Sequence, residues 1–147
     1  MPMQSSESEV LLGRGYLERG FLDAALKLFV RNAALVSPAD WTSLADRLLE
    51  RNRIPDVVRV CELGAVPLPR ERMLGRGDAC LKRRDVEGAL HLYEIAGADR
   101  ERWASLVKIM TALPDRARQA VEIASRHLGG EVPVEEHRSQ RHIKAVK

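Results

Sequence analysis

Chemistry in this chain would have to come from few residues. The four histidines are His91, His127, His137 and His142, and the two cysteines are Cys61 and Cys80. A metal site needs such ligands at set spacings, as in HExxH or in paired cysteines and histidines. Neither spacing occurs, so no metal or other cofactor is expected. His127 falls at the end of an expected helix, where the helix dipole favours a cationic ring. The GxG pairs in LLGRGYLERG and LGRGDA would cradle phosphate only between a strand and a helix. They sit inside a helical period instead, where glycine serves close helix packing. No Walker A or GxSxG motif is present, and no enzymatic activity is expected.

The remaining chemical feature is charge. Lys82, Arg83 and Arg84 form the densest basic run, with Arg70, Arg72 and Arg76 upstream and Glu71, Asp78, Asp85 and Glu87 interspersed. Lys82, Arg83 and Arg84 are candidate anion contacts. The alternative is a helix-end cluster that suits the dipole. No aromatic residues interleave with these charges, so stacking on nucleic-acid bases is not indicated. The whole chain carries only +3, with a pI near 9.1. Mixed signs at so small a net charge describe a solvated surface better than a nucleic-acid footprint.

These residues must be positioned by helices. Aromatics are 4% of the 147 residues, while Leu, Ala, Arg and Glu dominate, so an all-α protein with a real core is expected. Helices are expected from Ser6 to Gly20, from Leu22 to about Ala33, and from Pro38 to Arg51. A fourth runs from Pro55 to Gly64, a fifth from Arg70 to Arg83, and a sixth from Asp85 to Gly97. The seventh runs from Asp99 to before Pro114, and the eighth opens at Pro114-Asp115 and stops at Gly129-Gly130. Ser6 reads as an N-cap with Glu9 three residues on. Pro55 and Asp56 suit the first turn of a helix, and Gly20 and Gly64 suit helix ends.

Residues 1–5 are expected to be flexible, 6–128 to form one helical domain, and 129–147 to be a flexible, mildly basic tail. That tail holds Arg138, Arg141, Lys144 and Lys147, with a short helix over 134–144 as an option. No secretory signal or membrane span is evident. Cys61 and Cys80 fall on apolar helix faces outside any CxxC pair, which suits free thiols in a reducing, cytoplasmic setting.

The helices repeat. Gly13, Ala45 and Gly77 recur every 32 residues, as do Tyr16, Leu48 and Cys80, then Ala25, Val57 and Ala89, and then Phe29, Cys61 and Tyr93. Trp103, Leu106 and Met110 follow Trp41, Leu44 and Leu48 at an offset of 62. Ala120 and Ala124 extend this fourth copy.

The pattern resembles the tetratricopeptide repeat, whose signature runs W-x2-L-G-x2-Y, then A-x3-F, then P. The first copy has Leu12-Gly13-x2-Tyr16 and Ala25-x3-Phe29; the second has Trp41-x2-Leu44-Ala45; the third has Gly77-x2-Cys80 and Ala89-x3-Tyr93. The period of 32 is shorter than the family's, which is about 34. The resemblance covers residues 6–128. It implies a right-handed α-solenoid of four helix-turn-helix repeats whose first helices line a concave groove.

On that resemblance the groove residues are Val10, Arg14 and Leu17; Thr42, Asp46 and Leu49; Leu74, Asp78 and Leu81; and Ala104, Lys108 and Thr111. Leu17, Leu49 and Leu81 either line the groove or pack between neighbouring hairpins. The expected function is a protein–protein interaction module, an adaptor or chaperone-like subunit taking a peptide or amphipathic helix of a partner protein. Self-association is a further option, since short stacks expose apolar ends. A nucleic-acid-associated regulator using the Arg-rich surface and tail is the alternative.

Overall fold

A computed structural model describes residues 2–130, with side chains from Ser5 onward. Residues 131–147 of the expected flexible tail, with Arg138, Arg141, Lys144 and Lys147 and the optional helix over 134–144, lie outside the described residues. Within them the chain is all helical, with eight α-helices and one 3-10 turn. The helices are α1 (Pro2–Arg19), α2 (Leu22–Arg31), α3 (Pro38–Glu50), α4 (Ile54–Gly64), α5 (Arg70–Lys82), α6 (Val86–Ala96), α7 (Arg100–Thr111) and α8 (Ala117–His127). The 3-10 turn, Ala33–Leu35, follows α2. None of the described helices is long and apolar enough to cross a membrane.

The helix ends follow local chemistry. Ser37 caps α3, its Oγ accepting the Asp40 N–H at 3.2 Å ahead of Pro38 in the first turn. Asp85 caps α6 in the same way, accepting from Gly88 N–H at 3.0 Å. Gly20 and Gly97 take positive φ where α1 and α6 stop, at +85° and +69°.

Two expected boundaries are corrected, and a third helix end is made in an unexpected way. Ser6 lies inside α1, which already begins at Pro2, and so does not cap it. Pro114 and Asp115 stand in a turn closed by Arg116 N–H on the Leu113 carbonyl, and α8 starts only at Ala117. Gly64 is the last residue of α4, as expected, but it does not supply the left-handed conformation that closes the helix. That conformation falls to Ala65, at φ +50°. The reason is packing, because a Cβ on Gly64 would collide with Cβ, Cγ and Cδ1 of Trp41. The glycine is required one residue before the bend, and the alanine takes the backbone strain.

The chain divides into two compact units, residues 1–70 and 71–147. Each contains two helix hairpins built alike. In the first unit, a Cβ on Gly13 of α1 would stand 2.7 Å from the Phe29 ring of α2. In the second, a Cβ on Gly77 of α5 would stand 2.5 Å from the Tyr93 ring of α6. Each ring then meets a tryptophan of the next hairpin edge-on. Phe29 lies 5.9 Å from Trp41 at 75°, and Tyr93 lies 5.9 Å from Trp103 at 75°. Such edge-to-face pairs add about 1 kcal/mol beyond burial.

A second, polar seam repeats as well. Arg53, just before α4, binds Asp23 of α2 at 2.6 Å and Asp56 at 2.7 Å. Arg116, just before α8, binds Glu87 of α6 and Gln119. The two units are thus the same two-hairpin design, with partners offset by 62 to 64 residues.

Where Trp41 covers Gly64, Trp103 stacks on His127, ring centroids 3.7 Å apart and nearly parallel at 3°. His127 Nε2 is buried without a hydrogen-bond partner. The helix dipole would favour a charged ring here, but burial, seconded by Arg126, outweighs it and the attraction of Glu94, and lowers the pKa. The folded unit therefore holds the neutral imidazole, while the unfolded chain takes up a proton near its ordinary pKa of about 6.5. Stability is full above that value and is lost as the pH falls through it toward the lowered folded pKa. The melting temperature should drop between pH 7.5 and 5.5, and His127→Phe, which keeps the stack, should flatten that slope. An equal slope in both proteins would remove His127 as its source.

Candidate functional site

A cleft of about 450 Å³ opens in the second unit. One wall comes from Asp78, Leu81 and Lys82 of α5, with Arg84 from the turn that follows. The other comes from Asp99 and from Glu101, Arg102, Ser105 and Ile109 of α7, and Tyr93 of α6 reaches the floor.

The floor is a closed network. Arg102 grips Asp78 with two nitrogens, Nε at 3.0 Å from Oδ1 and Nη2 at 3.1 Å from Oδ2. Its third nitrogen, Nη1, donates to Asp99 at 2.7 Å. The Tyr93 hydroxyl donates to Asp78 Oδ1 at 2.5 Å. Partial burial pushes the Asp78 carboxyl up, but the bonds from Arg102 and Tyr93 outweigh it and hold the carboxyl below its ordinary value. Burial first, and then the bond to Asp78, raise the Tyr93 phenol. Asp78 and Asp99 together raise Arg102. All three groups keep one protonation state near neutral pH, so the floor is a fixed dipolar surface and not a proton shuttle.

The rim differs. Lys82, Arg84 and Glu101 are exposed, and no ion pair engages them among the described residues. Arg84 stands in the left-handed conformation, at φ +65°, which α5 and α6 require to reverse direction.

The first unit carries the same seam with its charges exchanged. Arg14 of α1 binds Asp40 of α3 at 2.8 Å, where Asp78 of α5 binds Arg102 of α7. Arg14 and Asp78 are 64 residues apart, and Asp40 and Arg102 are 62 apart. Phe29 stands where Tyr93 does and lacks the hydroxyl that steadies Asp78.

The expected groove residues separate into two sets. Val10, Leu17, Leu49, Leu74 and Leu81 are buried in helix packing, as are Cys61 and Cys80, which are free thiols. Arg14, Asp46 and Asp78 are half-buried, and Thr42 and Lys108 are exposed. Of the expected groove and anion-contact residues, the cleft brings together Asp78, Leu81, Lys82 and Arg84. Arg83 turns away to the Cys80 sulfur at 3.6 Å. From α7 the sequence expectation gave Ala104, Lys108 and Thr111, whereas the cleft takes Glu101, Arg102, Ser105 and Ile109 of that helix. The matching offsets of Arg14 with Asp78 and of Asp40 with Arg102 are the signal that could have found that arginine. No cluster of metal-ligating side chains occurs among the described residues.

Comparison with models of protein families, with curated proteins and with solved structures finds no match. The likeness to tetratricopeptide repeats rests on the residues and the hairpins themselves.

Proposed function

We propose that the chain is a non-enzymatic protein-interaction module, an adaptor or chaperone-like subunit of the cytoplasm, that takes a partner polypeptide segment in the α5–α7 cleft. The supporting observation is the division within that cleft between a self-satisfied floor and an unengaged charged rim. A floor whose polar groups are already paired costs little to cover. The rim cations Lys82 and Arg84 and the acid Glu101 remain to choose a ligand by charge. The stacking of hairpins within each unit is read as right-handed, as the resemblance implies.

Panning a displayed peptide library against the purified chain tests this reading. Recovered peptides should lose about tenfold in affinity, ~1.4 kcal/mol, to Lys82→Glu/Arg84→Glu and to Ser105→Trp, with the melting temperature unchanged. Peptides indifferent to both variants, or none recovered, would place the function elsewhere. Retention of nucleic acid that weakens steeply with salt would favour the alternative, a nucleic-acid-associated regulator.

A further inference from the structure

The outer face of α1 is built differently from its counterparts. Leu12 holds the register of Leu44 and Leu106, which are both 0% exposed, yet Leu12 is 51% exposed and Leu11 61%. At about 100° per residue, the exposed residues of α1 from Ser5 onward fall in one stripe. Half-buried Gly15 is at its centre with exposed Ser8 seven residues earlier, exposed Leu11 and Leu12 flank them, and exposed Glu18 and Arg19 follow on opposite sides. A Cβ on Gly15 would meet nothing within 4 Å. This glycine therefore serves no packing within the chain, in contrast to Gly13 two residues before it.

From this face we infer that two copies of the chain associate through α1, side by side and parallel, about a twofold axis. Small residues along a seam let two helix backbones approach closely, and Ser8 and Gly15 are one heptad apart. In a parallel twofold pair, residues at one level on opposite flanks meet. Leu11 of one copy then packs on Leu12 of the other, and Glu18 of one copy faces Arg19 of the other, each pairing made twice. The face is thus complementary to itself in shape and in charge, as an isologous interface must be. Glu18 and Arg19 have no ion-pair partner among the described residues, so the association breaks no pairing to form.

Sedimentation of the full-length chain over a range of concentrations tests this. The mass should rise from 16.5 kDa toward twice that value. Leu11→Glu/Leu12→Glu and, separately, Gly15→Lys should hold it at the monomer, with circular dichroism unchanged. Glu18→Arg should weaken association several-fold, and Glu18→Arg/Arg19→Glu should restore it. A wild-type chain that stays monomeric up to its solubility limit overturns the inference. So does a dimer that survives either of the first two variants, or a charge exchange that fails to restore.

Discussion

Replacing Trp41 with alanine should cost the first unit about 4 kcal/mol. Trp41 is 2% exposed, meets Phe29 edge-on, and fills the space that Gly64 leaves. One substitution therefore removes an aromatic pair, empties a large core volume and uncovers the end of α4. A unit of this size has roughly 3–10 kcal/mol to lose, so its cooperative transition should shift to far lower urea or vanish. Gly64→Ala approaches the same contact from the other side. Alanine favours helix over glycine by about 1 kcal/mol, but its Cβ would collide with the root of the Trp41 side chain, which cannot swing away. A net loss of about 2 kcal/mol is expected. Urea denaturation followed by circular dichroism measures both, and a cost below about 1 kcal/mol for Trp41→Ala would show the seam to be dispensable.

Arg102→Asp should be the most damaging charge substitution in the second unit. It would set a new carboxylate between Asp78 and Asp99, both of which now depend on Arg102. Arg102 and Asp78 are 30% and 39% exposed, so solvent screens part of the penalty. We expect about 2 kcal/mol. Asp78→Arg combined with Arg102→Asp reproduces the polarity of Arg14 and Asp40 and should recover more than half of the loss, measured as a double-mutant cycle. Additive losses in the double variant would mean that the two side chains are not coupled.

Much of this architecture was legible in the residues, because helix periodicity, caps and small-residue positions are local. Ser37 and Asp85 announce their helices through their own hydroxyl and carboxylate. Gly13 and Gly77 announce a close approach that Phe29 and Tyr93 then occupy. The period of 32 marked hairpins correctly but hid the stronger likeness at 62 to 64, in which tryptophan appears only in the second hairpin of each unit. Other features depend on side chains that meet across helices. No local pattern reports that Arg102 reaches Asp78, that Trp103 lies flat on His127, or that Trp41 reserves the Cβ position of Gly64. The leucines at 17, 49 and 81 recur on one face whether they line a groove or pack inside, so spacing alone left that choice open; they are buried.

The exchanged polarity of Arg14–Asp40 and Asp78–Arg102 bears on how such a chain can be rearranged. The aromatic seams of the two units have the same geometry and would let their hairpins trade places. The charges would not. A chain that joined the first hairpin to the fourth would bring Arg14 against Arg102, and one that joined the third to the second would bring Asp78 against Asp40. Each unit thus favours its own second hairpin, by about 1 kcal/mol for a half-exposed pair. Recombination between the two halves of the gene would therefore meet a bias at the level of folding, set by two salt bridges of opposite sense.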